Sequence, residues 1–345
     1  MHKDHIIFYP FYGSAYVDNM KHCWGQLYKV IPWSKAENNL YLLFNIEAIV
    51  LNWIEGVLTI EQKKKLMFYK RIGIKIIWVF HNRMPHRMID DTENTVWKEN
   101  MRFIAKISDG IILHSRCSLK YLQEWTKCQK GITYVPHVDY EEQYGWVKHE
   151  AAIPAKRFCF AFIGQIAPYK NIELLIDAFK RSNLPDCELR ISGKPCDTAY
   201  GKKIQALCKN SSILLRLGYL SDCEIGEEIR KADVLVLPYD LRSSMNSGAM
   251  IAAFSNKRTV VISNNAMAQD YEKEDFLYVY DYVDIEDHCQ ELKLMLKRAF
   301  ENGVEKNRDM GKRAYLYTKK NNSEVMVVDR LKRVIDNLSM KHTIM

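Results

Sequence analysis

Apolar runs alternate with amphipathic stretches along the whole chain, which predicts strands followed by helices. In the first half, His5–Pro10, Leu27–Ile31, Ala48–Trp53, Lys75–Phe80, Gly110–His114 and Thr133–Val135 read as strands, and Glu61–Arg71 and Thr95–Ile107 as helices between them. The pattern breaks over residues 140–156, where Glu141, Glu142, Gly145, Pro154 and Lys156 mark a linker. It then restarts. Phe158–Ile163, Cys187–Ser192 and Ile213–Leu217 read as strands, and Lys170–Arg181, Ala199–Lys209 and Glu224–Lys231 as helices. From about Asp284 the chain is rich in helix formers and predicts an all-helical tail. This alternation is the signature of the α/β class with parallel sheets. It divides the chain into domains over residues 1–145 and 155–320, with a closing segment over 321–345.

One stretch says more than the rest: Ala232 to Ser263, ADVLVLPYDLRSSMNSGAMIAAFSNKRTVVIS. A buried strand stops at Pro238, and a short polar loop, Tyr239 to Asn246, follows. Ser247 and Gly248 open an apolar helix that ends near Asn256 and Lys257, and Thr259–Ile262 is a second buried strand. Such a βαβ unit brings a helix N-terminus to the carboxyl edge of a parallel sheet, where its N–H groups suit an anion. No Gly-x-Gly-x-x-Gly is present, so the anion need not be a dinucleotide.

Composition adds limits. At 345 residues, 48% hydrophobic and 27% charged, the chain can bury two cores and reads as soluble. No apolar run reaches the roughly 18 residues of a membrane span. The opening MHKDHIIFYPFYG lacks the apolar core of a signal peptide. The nine cysteines form no Cys-x-x-Cys pair, which suits a reducing cytoplasm. The net charge of +8 is uneven: residues 1–139 hold 19 Lys and Arg against 13 Asp and Glu, the remainder 31 against 29. The densest run is Lys63, Lys64, Lys65, Lys70, Arg71 and Lys75. It is either a solvated helix face or a patch for anionic lipid head groups or an anionic acceptor. No nucleic-acid motif accompanies it.

Candidate chemistry gathers at predicted strand ends. After Phe162 and Ile163, Gly164 and Gln165 lead to Lys170 at a predicted helix start; the glycine admits a ligand to the backbone and the lysine brings a charge to phosphate. Asn246, Ser247 and Gly248 can cap a helix and hold a diphosphate, with Arg242 as a further phosphate ligand. His81 and His86 flank the Asn82–Pro85 loop, and either imidazole can exchange a proton or bind a sugar hydroxyl. Zinc there lacks a third nearby ligand. Gly13, in the loop after the first strand, admits substrate to the backbone; Trp53 can stack on a sugar or pack in the core, and Glu55 can bind a hydroxyl. His114 and Ser115 end another strand. No Gly-x-Ser-x-Gly elbow supports a hydrolase.

Taken together, the Asn52–Glu55, Ile76–His86 and Asp109–Ser115 segments, with Phe162–Phe179 and Asp233–Ile262, resemble GT-B glycosyltransferases, most closely the bacterial group 1, family 4-like enzymes. The resemblance implies two Rossmann-like domains facing across a cleft, with a nucleotide-sugar donor on the second domain and the acceptor on the first. Gly164, Gln165, Lys170, Gly193, Tyr219, Arg242, Asn246, Ser247 and Gly248 would hold a UDP- or GDP-linked donor. Gly13, Trp53, Glu55, His86 and His114 would meet the acceptor, and His81 and Lys170 would act in catalysis. No metal and no cofactor are implied, and the last helix, near Asn322–Leu338, would return to the first domain. Two departures stand out. Ser244 and Ala252 fall where many relatives carry a pair of glutamates, and Gln165 replaces a usual basic residue.

The expected activity is hexosyl transfer to a glycan or lipid-linked glycan, in surface polysaccharide or glycoconjugate synthesis. The expected place is the cytoplasm, with a peripheral membrane contact through the first domain and no nucleic-acid partner. A GT-B nucleotide-sugar 2-epimerase and a non-catalytic carbohydrate-binding relative are the alternatives.

Overall fold

The computed structural model describes residues 3–54, 56, 58–84, 91–125, 127, 131–144, 157–209 and 211–340. They form two units, Met1–Val138 with Asn322–Met345, and Asp139–Asn321.

In the first unit the elements are β1 (His5–Tyr9), α1 (Ala15–Gly25), β2 (Lys29–Pro32), α2 (Trp33–Glu37), β3 (Ile46–Asn52), α3 (Ile60–Arg71), β4 (Lys75–Val79), α4 (Asp91–Ile107), β5 (Gly110–Leu113), α5 (Leu119–Leu122) and β6 (Ile132–Tyr134). All strands pair in parallel in the order β2-β1-β3-β4-β5-β6. Strands β4 and β5 are almost wholly buried, as expected of a parallel sheet covered on both faces. Thr59 and Gln62 close a capping box at the start of α3. The expected strand at Leu27 begins two residues later, because the Leu27 and Tyr28 amides still donate to the Trp24 carbonyl.

The second unit runs β7 (Phe158–Ile163), α6 (Ile172–Ser182), β8 (Cys187–Gly193), α7 (Thr198–Cys208), β9 (Ile213–Leu217), α8 (Asp222–Lys231), β10 (Val234–Leu237), α9 (Gly248–Ser255), β11 (Thr259–Ser263), α10 (Ala266–Gln269), β12 (Tyr278–Tyr280), α11 (Ile285–Glu301) and α12 (Gly303–Asn321). Its sheet is also parallel, in the order β12-β11-β10-β7-β8-β9. The short edge strand β12 escapes the hydrophobic pattern. The loop Tyr239–Asn246, read as a polar connection, instead folds inward: Tyr239, Ser243, Ser244 and Met245 are all buried.

The last helix, α13 (Glu324–Met340), belongs to the first unit. Its Val327, Leu331, Val334 and Leu338 join Ile6, Phe8, Val17, Met20, Trp24, Val50 and Ile77 in one core. Gly110 lets the helix approach: a Cβ there would lie 3.3 Å from Leu338 Cδ2.

Each sheet reverses its strand order once, between β1 and β3 in the first and between β7 and β10 in the second. Open parallel sheets leave a crevice for ligands at the carboxyl ends of such a pair.

Candidate functional site

In the second unit, the loops after β7 and β10 meet at the reversal. The Asn171 side-chain amide donates to the Pro238 carbonyl at 2.9 Å, and the Asp240 amide to the Tyr169 carbonyl at 3.4 Å. The expected helix start at Lys170 is corrected. Pro168–Lys170 form a 3-10 turn, Asn171 is left-handed (φ 52°, ψ 42°), and α6 begins at Ile172. Proline sets the turn and asparagine tolerates the left-handed corner, so Lys170 precedes the helix.

Lys170 is half-buried, and its Nζ lies 3.9 Å from the centre of the Tyr239 ring and 4.9 Å from that of Tyr169. Burial lowers its pKa to about 8. Burial alone accounts for that shift, with no carboxylate among its causes. Ring faces stabilise a cation weakly compared with an anion. Tyr239 was missed in the sequence, where it read as the start of a polar loop.

Ser247 caps α9. Its hydroxyl accepts from the Met250 amide at 3.1 Å and donates to the Tyr239 hydroxyl at 3.2 Å. Thus the ring beneath Lys170 is tied to the helix N-terminus, and Gly248 stays half-exposed there. Asn246, half-buried, immediately precedes the cap. Arg242 is exposed and forks onto Asp240 through Nη2 at 2.8 Å and Nε at 3.1 Å.

Three adjacent strands, β7, β8 and β9, each end at a glycine with positive φ: Gly164 (144°), Gly193 (156°) and Gly218 (142°). A Cβ on Gly193 would sit 1.7 Å from the Gly164 carbonyl oxygen. The close backbone approach therefore requires glycine. Gln165 and Tyr219 lie exposed beside this glycine edge.

In the first unit, strand ends gather side chains instead. His81, His114 and His137 follow β4, β5 and β6 within three residues, and all three are buried. Tyr16 on α1 stands among them. Its hydroxyl is 2.8 Å from His114 Nε2 and 3.1 Å from Asn52 Oδ1. His81 Nε2 is 3.0 Å from the same Asn52 oxygen, and the Asn52 amide nitrogen donates to the Tyr9 carbonyl at 3.0 Å. His114 Nδ1 lies 2.8 Å from the Val135 carbonyl.

Burial lowers His114 to about 3 and His137 to about 4, so both are neutral at physiological pH. Burial also raises Tyr16 well above the usual phenol range. Trp53 stacks on His81, with ring centres 4.2 Å apart and planes 20° apart. Its backbone is left-handed at φ 48°, a conformation a bulky residue rarely adopts. Gly13, exposed at φ 144°, precedes the Ser14 cap of α1.

The structure thus brings His81, Trp53 and His114 together and adds Tyr16, Asn52 and His137. The recurrence of histidine after three consecutive strands was a signal in the sequence for His137. Tyr16 had no such signal. Glu55 and His86 lie outside the described residues. Among the described residues no group of His, Cys, Asp and Glu could hold a metal ion, and no helix is long and apolar enough to cross a membrane.

Residues 147–317 match the family of glycosyl transferases group 1. Two relatives from Xanthomonas campestris pv. campestris, each a GDP-mannose:glycolipid 4-beta-D-mannosyltransferase, are 23% and 24% identical over 258 and 248 residues. These alignments cover 70% and 66% of this chain, and 68% and 66% of the relatives. Among solved structures, Anabaena HepE in complex with UDP superposes with a TM-score of 0.72 at 12% identity, covering 97% of this chain and 99% of that one. A glycosyltransferase from Rickettsia africae ESF-5 gives 0.68 at 11% identity, covering 98% and 99%. Residues 147–317 thus carry the match to the group 1 glycosyltransferases, and the two parallel sheets have the GT-B fold.

Proposed function

We propose that the chain transfers a hexosyl group from a nucleoside-diphosphate sugar to a glycolipid acceptor, with GDP-mannose as the favoured donor. Lys170 carries this reading. A half-buried ammonium on two tyrosine rings, beside the N-terminus of α9, is a site organised for an anion. The GDP-mannose preference is supported by the names of both Xanthomonas relatives. The neighbours crystallised with UDP keep a UDP-linked sugar as the second reading.

In the reaction, the acceptor hydroxyl oxygen bonds to the anomeric carbon. The bond from that carbon to the diphosphate oxygen breaks, and its electron pair leaves with the diphosphate. Lys170 and the backbone at Ser247–Gly248 stabilise the departing charge, which replaces a metal in this role. His81 accepts a hydrogen bond or the proton from a sugar hydroxyl. Gly164, Gln165, Gly193 and Tyr219 face the donor, with Arg242 released from Asp240 to reach a phosphate. Gly13, Trp53 and His114 belong to the acceptor side.

A membrane contact through α3 has weaker support. Lys65 is paired with Glu37 and Lys70 with Asp109, each at 2.6 Å, which neutralises part of the basic run. Calorimetric titration with GDP-mannose and UDP-glucose tests the donor assignment. Lys170→Ala should weaken donor binding by about 100-fold, the worth of a desolvated charge-assisted contact of about 3 kcal/mol. Unchanged affinity overturns it. Turnover in excess EDTA tests the metal-free chemistry, and its loss on chelation overturns that part.

A further inference from the structure

The geometry points to Asn52, braced by Tyr16 and Trp53, as the positioning group that sets which nitrogen of His81 is basic; we propose that it holds His81 with hydrogen on Nε2 and the lone pair on Nδ1. The inference rests on the reading of His81 as a sugar-facing residue, but the geometry stands without it.

The deduction starts from two carbonyls, which can only accept. Tyr9 O receives a hydrogen bond from the Asn52 side chain at 3.0 Å, so the atom there is the amide nitrogen. The other end, Oδ1, is then an acceptor, and His81 Nε2 at 3.0 Å must donate to it. A neutral imidazole carries one hydrogen, so the lone pair is on Nδ1. In the same way Val135 O, 2.8 Å from His114 Nδ1, fixes hydrogen on that nitrogen and leaves His114 Nε2 an acceptor. Tyr16 therefore donates its single hydroxyl hydrogen toward two acceptors, His114 Nε2 at 2.8 Å and Asn52 Oδ1 at 3.1 Å.

Two further contacts fix the His81 ring itself. Trp53 stacks flat on it, and Tyr16 meets it edge-on, with ring centres 4.9 Å apart. The left-handed Trp53 backbone, a strained conformation for a bulky residue, holds the indole in this stack. Such strain is retained where surrounding contacts over-determine it. Tyr16 and His114 are the titratable groups whose rings face His81 among the described residues, and neither is charged at neutral pH. The brace thus sets orientation and tautomer without adding a charge.

The direct test reads the hydrogen itself. In protein labelled with 15N-histidine, long-range proton–nitrogen correlations distinguish the two tautomers, and the His81 signals are assigned by their loss in His81→Gln. The expected result is His81 with hydrogen on Nε2 in the folded wild type; hydrogen on Nδ1 overturns the proposal. Asn52→Asp keeps the shape but adds a charge, so the acid limb of the activity–pH profile should move upward by about one unit. Tyr16→Phe should lower kcat about 10-fold with KM within twofold, and Trp53→Phe less. A wild-type pH profile in Asn52→Asp overturns the proposal. If the tautomer is as stated while His81→Gln retains full turnover, the brace stands and the role of His81 in transfer fails.

Discussion

The two units share one architecture and finish their strands in opposite ways. In the second, β7, β8 and β9 end in glycines whose backbones crowd so closely that a methyl group at Gly193 has no room. In the first, β3, β4 and β5 run into Asn52 and Trp53, His81, and His114, and their side chains fill the space with a hydrogen-bonded cluster. A backbone shelf suits a large, flat or multiply charged ligand held by N–H groups, whereas a side-chain cluster suits hydroxyl chemistry. On the proposed function, the same fold would separate holding a leaving group from handling a nucleophile.

The sharpest way to break this contrast is Gly193→Ala. Its Cβ would overlap the Gly164 carbonyl, so unfolding by denaturant should show a loss of about 3 kcal/mol or more. Gly218→Ala, with open space around it, should cost only about 1 kcal/mol of backbone strain. Equal losses at the two positions would remove the close approach as the reason for glycine.

Next comes Lys170→Met. It should abolish measurable donor binding while the melting temperature holds or rises, because a desolvated ammonium is replaced by an apolar chain of similar reach. A lower melting temperature would mean that the lysine serves the fold. A pH series sharpens the same point. Lys170 titrates near 8, so its charge is full below that value and lost above it. Donor affinity should therefore fall about tenfold from pH 7 to pH 9, as the Henderson–Hasselbalch fraction requires.

A more diffuse effect, spread over pH, belongs to the buried histidines. His114, His137 and His288 have folded pKa values lowered by burial to about 3, 4 and 4. The unfolded chain binds protons below about 6.5 while the folded one does not, so their contribution is complete above that pH and is lost as pH falls toward 4. Melting temperature should drop steadily from pH 7 to pH 5, and less so in His137→Asn. A flat profile would contradict the neutral cluster.

Most of the architecture was legible because buried parallel strands announce themselves as continuous apolar runs: VLVL of β10 and FCFAFI of β7 leave little choice. The end of β10 before Pro238 and the Ser247 cap of α9 were legible as well, because they rest on local signals. What escaped was set by tertiary contact. Tyr239 looked like the first residue of a polar loop, yet it is the buried floor under Lys170. Lys170 looked like a helix start, but the left-handed turn at Asn171 answers to the Pro238 carbonyl, 67 residues away. Tyr16 lies on a helix face with no distinctive spacing, and only its distance to Asn52 and His114 reveals it.

The path of the chain through the first unit has a consequence for its birth. The second unit is continuous in sequence, from Asp139 to Asn321, while the first needs residues on either side of it. During synthesis Ile6, Phe8 and Trp24 emerge before the second unit, but Val327, Leu331 and Leu338, which complete their core, emerge only after it. The second unit can therefore reach its native state first, and the nascent first unit must wait, incomplete and open to chaperones, for α13 to arrive. A chain stopped at Asn321 should show a protease-resistant second unit and a readily digested first one.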